Sequence, residues 1–195
     1  ESHHRIKNSL QTIVSLVTLE KERLIAEQLY DVVPVLTAII SRIKTIAVVH
    51  DLLSRQTAGN NLMDLAAILN RISESYRNMA ILHFDLDNVI IPYNNALSIS
   101  LVVNELLTNS VKHSMAESGT LAITVACHLK GDMIYLSVTD NGIGFPQDYE
   151  TAAHSGIGHS IIETIVESLS GKIRYSYENG AKTEITFPQN TSYVI

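Results

Sequence analysis

The chain is short of cysteine, of clustered basic residues and of long apolar runs, and each shortage excludes something. Cys127 is the single cysteine among 195 residues, which rules out an internal disulfide framework and fits a reducing compartment. Lysine and arginine total 14 against 20 acidic residues, a net charge of -6, and no basic cluster stands out; nucleic acid is not expected as the main partner. No apolar run approaches the roughly 20 residues of a membrane span, and no secretory leader is visible. No membrane contact is expected of this fragment. Internal repeats and low-complexity tracts are also lacking. What remains is an ordinary globular composition, 46% hydrophobic and 17% charged, enough for one domain or two small ones. The sequence opens at Glu1 inside a helical pattern, which implies a longer parent with a part upstream. A cytoplasmic location is expected here, with any membrane attachment carried by that upstream part.

Two periodicities divide the chain. Up to about residue 56 the pattern is helical: His3, Ile6, Leu10, Ile13 and Val17 step by three and four, a coiled-coil-like seam. The stretch 30–34 interrupts it, and Pro34 suits the first turn of a second helix. That helix carries Leu36, Ile39, Ile43, Ile46, His50 and Leu53 at the same spacing. Such a hairpin cannot bury both seams alone. Pairing with a second copy into a four-helix bundle, hence a homodimer, is the default expectation; packing on the chain's own second domain is the alternative.

Residues 57–61, small, polar and glycine-containing, suggest a linker, dividing the chain into 1–58 and 59–195. Beyond it the pattern predicts helices over 65–76, 94–114 and 161–169 and a strand over 81–86. It also predicts a hairpin of 121–129 with 133–139, and another of 172–177 with 183–187. The order reads as an α+β sandwich with helices on one face of a largely antiparallel sheet.

On the helix over 94–114, Ile99, Val102, Val103 and Leu106 form an apolar stripe, with Glu105, Asn109 and Lys112 on a neighbouring stripe at the edge of the buried face. Magnesium takes hard oxygen ligands and keeps waters, so one Asn109 carbonyl with phosphate oxygens is a reasonable set. Glu105 can polarise water or take a proton, and Lys112 can meet phosphate. His113 falls nearer the apolar stripe and reads as a semi-buried histidine. A strand end delivers Asp140, followed by Gly142 and Gly144, which open backbone conformations closed to other residues. Gly156 and Gly158 stand directly before a helix, where free N–H groups favour phosphate. The segment 145–155 between the two glycine pairs could close over a nucleotide.

Residues 62–188 resemble the ATP-binding domain of the gyrase, chaperone, histidine kinase and mismatch-repair ATPase (GHKL) superfamily. Residues 104–109 resemble its N box, 140–144 its G1 box and 156–158 its G2 box. That resemblance implies ATP and Mg2+ as cofactors, Asn109 as magnesium ligand, Glu105 as acid/base residue and Asp140 as the partner of the adenine amino group. Gly180, Ala181 and Lys182 stand where many members have Gly-Thr, so a threonine hydroxyl contact is expected to be missing. His159 replaces an apolar residue common after the G2 box.

At the other end, His4 lies on the flank of its helix with Lys7 and Asn8 on the same face. An exposed imidazole of this kind can attack a phosphoryl group; surface histidines or metal binding by His3 and His4 are the plain alternatives. Residues 1–11 resemble the phosphoacceptor segment, and 43–51 the second helix, of the HisKA_2 class of sensor histidine kinases. The resemblance implies His4 as phosphoacceptor and a response-regulator receiver domain as partner; Asn8, one turn from His4, is read as a group that could orient water for regulator dephosphorylation. Arg5 stands where the more familiar kinases carry an acidic residue, leaving Glu105 and Glu1 as candidate acceptors of the His4 proton. The alternatives are an anti-sigma-type serine/threonine kinase, or a dimerisation scaffold that binds nucleotide without transferring phosphate.

Overall fold

The computed structural model describes residues 2–55, 61–113, 120–145 and 157–189, the side chains of 2–5, 7 and 157 excepted. The chain divides between Asn61 and Leu62 into two units; the boundary expected after residue 58 lies outside the described residues.

The first unit is a helical hairpin. Helix α1 (Ser2–Ala26) ends where Gln28 turns left-handed, φ 61. Leu29 N then donates to Leu24 O at 2.9 Å and Gln28 N to Ile25 O at 3.1 Å, capping carbonyls the helix leaves unpaired. A 3-10 turn over Tyr30–Val32 leads into α2 (Val33–Ser54), with Pro34 in its first turn, where a missing N–H costs nothing. Ile40, Thr45, Val49 and His50 are buried on α2. Apolar side chains of α1 are left outside: Leu16 is 61% exposed and Leu19 62%. Contrary to expectation, the stretch Tyr30–Ser54 is long and apolar enough to cross a membrane by length and composition, with mean hydropathy 1.9. Arg42 and Lys44 break the run when residues are read singly, but their neighbours outweigh them on average.

The second unit is α+β. Short strands β1 (Leu62–Asp64) and, later, β3 (Ile90–Pro92) pair antiparallel. Asp64 caps α3 (Leu65–Ser73), its carboxylate accepting from Ala66 N at 2.9 Å and Ala67 N at 3.3 Å. Leu65, Ile68, Leu69 and Ile72 form its buried face. Strand β2 (Ile81–Leu86) pairs parallel with β4 (Ala122–Lys130). A parallel pair needs a long crossover, and α4 (Tyr93–His113) supplies it. Strand β5 (Met133–Asp140), helix α5 (Ile157–Ser168) and strands β6 (Lys172–Tyr177) and β7 (Ala181–Pro188) complete the unit. The sheet runs β2-β4-β5-β7-β6, antiparallel except for β2 with β4. Alternate residues of one sheet face, among them Ile123, Val125, Ile134, Leu136, Val138, Ile185 and Phe187, are buried with Val103, Leu107 and Ile162 of the helices.

Two strands of three residues escape periodicity, and α5 begins at Ile157 rather than at residue 161. Cys127, 1% exposed, has its thiol pushed up to about 12, by burial first and then by the Asp87 charge. A thiol reagent is therefore expected to leave the native chain unmodified at neutral pH and to react only as it unfolds, read by following both rates together. The sign follows: the unfolded thiol ionises from about pH 8.5 while the folded one stays protonated, so stability falls as pH rises above that point.

Candidate nucleotide-binding site

The site is organised around the end of β5. Asp140 is 5% exposed, and its carboxylate is gripped from three directions. Oδ1 accepts from Gly142 N at 2.9 Å and from Ala181 N at 3.2 Å, where β7 begins. Oδ2 accepts from the Ser110 hydroxyl of α4 at 2.8 Å. A buried carboxylate supplied with donors in this way is held in one rotamer with acceptor capacity left over. Asn141 pins the following turn to β4: its Oδ1 accepts from Ala122 N at 2.8 Å, and its Nδ2 donates to Thr120 O at 3.3 Å.

Two glycines allow this approach. Gly180 has φ +152, and a Cβ there would stand 1.9 Å from Asp140 O. Gly144 has φ +79, and its Cβ would stand 2.4 Å from the Tyr177 ring. Gly142 and Gly144 were both expected to use conformations closed to other residues, and Gly144 does so with a positive φ. Gly142 serves through its buried N–H.

Helix α4 carries the second group. Glu105 is 4% exposed, Asn109 is half-buried, and Lys112 is exposed, so the stripe runs from the core out to solvent over two turns. His113 is exposed, not semi-buried as its position beside the apolar stripe implied. Tyr76 grips the helix from behind, its hydroxyl 2.9 Å from Asn104 Oδ1 and 2.8 Å from Thr108 Oγ1. On α5, Gly158 is half-buried in the first turn. Gly156 and residues 146–155 lie outside the described residues.

Thr183, three residues after Gly180, is buried at 4% and pairs with Val138. Val138 lies two residues before Asp140, so Thr183 shares Asp140's sheet face as its diagonal neighbour. The register, displaced from Gly180 by the tight turn, could not be read from the residues alone. Ser110 was also missed, although a signal existed: it continues the buried stripe Val103, Leu107 as a polar residue on an apolar face.

His4 and Asn8 belong to the first unit. Asn8 is exposed on α1; the side chains of His4 and Glu1 lie outside the described residues. Among the described residues, no group of three His, Cys, Asp or Glu side chains could hold a metal ion. The Asn109 amide carbonyl is a hard oxygen donor of the kind magnesium takes alongside ligand phosphates.

Comparison with known proteins places both ends of the chain. Residues 94–191 match the family described as histidine kinase-, DNA gyrase B- and HSP90-like ATPase. Residues 1–80 match the HisKA_2 histidine kinase family. The chain is 25% identical to the sensor histidine kinase PdtaS of Mycobacterium tuberculosis, over 96% of this chain and 38% of that protein. It is 25% identical to blue-light-activated histidine kinase 2 of Erythrobacter litoralis, over 89% of this chain and 51% of that protein. The chain thus spans between about a third and a half of the length of these relatives. Among solved structures, the histidine kinase domain of Erythrobacter litoralis EL346 superimposes with a TM-score of 0.72 at 21% identity, covering 96% of this chain and 88% of that one. At that identity the likeness speaks for the fold.

Proposed function

Because the chain belongs to the histidine kinases, within the histidine kinase-, DNA gyrase B- and HSP90-like ATPases, we propose that it is the catalytic core of a two-component sensor kinase. The C-terminal unit takes Mg-ATP, His4 accepts the γ-phosphoryl group, and an Asp of a response-regulator receiver domain then receives it. What supports this reading best is the buried Asp140 carboxylate, gripped by Ser110, Gly142 and Ala181, on a chain whose other end matches HisKA_2.

In this reading the spare acceptor capacity of Asp140 takes the adenine amino group. Gly142 and Gly144 let the backbone approach the base, and Gly156 and Gly158 offer N–H groups to the phosphates. Asn109 would hold Mg2+, which neutralises phosphate charge when bound; Lys112 adds a mobile positive charge. A His4 ring nitrogen bonds to the γ-phosphorus while the bond to the β-phosphate oxygen breaks and ADP leaves. The imidazole proton passes to Glu105 or Glu1. Positioning and charge neutralisation do most of the work in such transfers.

We further assign the exposed apolar side chains of α1, including Ile13, Leu16 and Leu19, to pairing with a second copy as a four-helix bundle. The apolarity of α2 is read in the same way, with the chain working in the cytoplasm. Asn8 is assigned to orienting water for dephosphorylation of the regulator; unchanged dephosphorylation in Asn8→Ala would remove that role.

The test is incubation with Mg2+ and γ-labelled ATP. Acid-labile, alkali-stable label on the wild type, absent from His4→Ala and Asn109→Ala, is the expected outcome. Label surviving in His4→Ala would move the acceptor. ATP binding without label would favour the nucleotide-gated scaffold, and label on serine or threonine the anti-sigma type.

A further inference from the structure

Tyr175 of β6 is buried at 9% exposure, and its ring touches residues next to both glycine turns. Phe145, directly after Gly144, meets it edge-on with ring centroids 5.4 Å apart and planes at 76°. His159, directly after Gly158, lies against the same ring at 5.4 Å and 34°. His159 is buried at 8%, its Nε2 3.1 Å from Glu163 Oε1 and its Nδ1 3.4 Å from the Tyr175 hydroxyl. The carboxylate can only accept, so Nε2 carries the proton and Nδ1 accepts from the tyrosine O–H. Each ring nitrogen then has one role, and the imidazole is fixed in rotation. An apolar side chain at 159 would fill the space but would not tie α5 to β6.

We propose that Tyr175 and His159 are positioning residues that hold the Gly142–Gly144 turn and the Gly158 end of α5 at a fixed separation, so that the site favours adenine nucleotides whose phosphate chain spans both. The proposal rests on the ATP reading of this site. Asp140 serves the base end and the first turn of α5 the phosphate end. A ligand touching both gains from a fixed spacing, because it need not order the two parts itself. A ligand touching only the base end gains nothing from it.

The experiment is competition binding on the 195-residue chain with a fluorescent ATP analogue, displaced by Mg-ATP or by adenosine. Tyr175→Phe keeps the ring and removes the hydroxyl; His159→Leu keeps the bulk and removes both hydrogen bonds. Tyr175→Phe is expected to weaken Mg-ATP by about fivefold, the worth of one neutral hydrogen bond, and His159→Leu by at least as much, with adenosine unchanged in both. Glu163→Gln, which keeps an acceptor at Nε2, is expected to match the wild type in both. A merely structural role would lower the melting temperature and weaken both ligands alike, and that result, or no change for either, overturns the proposal. Asp140→Asn separates the two readings. If it leaves Mg-ATP affinity intact, the site assignment fails and the proposal with it. If it weakens Mg-ATP while Tyr175→Phe and His159→Leu do not, only the positioning role fails.

Discussion

Gly180→Ala is expected to lower the melting temperature by roughly 10 °C or more, the combined result of a strained backbone and an overpacked contact, each costing about 1–3 kcal/mol. The added methyl would sit 1.9 Å from Asp140 O, 2.7 Å from Asp140 C and 3.0 Å from Asn141 Cα. All three neighbours are backbone, so no side chain can swing aside. Relief requires moving either the β6–β7 turn or the end of β5, and moving either pulls Ala181 N away from the Asp140 carboxylate. The fraction that stays folded is therefore expected to bind ATP poorly as well. Thermal unfolding by circular dichroism reads the first effect and nucleotide titration of the folded fraction the second. A melting temperature within a couple of degrees of wild type would mean that the turn yields more easily than its contacts imply.

Asp140→Asn is expected to weaken ATP binding by about a hundredfold, equivalent to nearly 3 kcal/mol. The amide is almost isosteric. Its oxygen can take the place of Oδ1 toward Gly142 N and Ala181 N, and the Ser110 hydroxyl can turn to accept from its nitrogen. The fold is thus preserved. Facing the base, however, an N–H group replaces an acceptor and opposes the adenine amino group donor to donor. A 6-oxo purine presents an acceptor there instead, so inosine triphosphate should lose far less than ATP or gain outright. Titrating both nucleotides on both proteins decides it. Equal losses for the two would show that Asp140 does not read the exocyclic group.

The parts legible in the sequence were those whose chemistry and spacing lie within one element. Glu105 and Asn109 are one helical turn apart, Asp140 and Gly142 share a strand end, and Gly158 lies in the first turn of α5. The long periodic segments, including the strand at 81–86 and both hairpins, were readable for the same reason. What could not be read depends on pairing between distant segments. β1 and β3 are three residues each, too short to show alternation. The parallel match of β2 with β4 leaves no local trace, and Thr183 joins the Asp140 face only through the β5–β7 register. His113 falls beside the apolar stripe but is exposed as the last residue of α4. The apolarity of α2 does not show as a continuous apolar run because Arg42 and Lys44 interrupt it, although a window average tolerates them.

The three-way hold on Asp140 also constrains when the site can exist during synthesis. Gly142 is a near neighbour in the chain, but Ser110 precedes the carboxylate by 30 residues and Ala181 follows it by 41. A nascent chain emerging from the ribosome therefore has α4 and β5 available before it can complete the grip, because β7 follows both in the chain. Until then the carboxylate lacks the donor that β7 supplies. Nucleotide can consequently stabilise the finished domain by mass action, but it has no assembled pocket on which to template an earlier stage of folding.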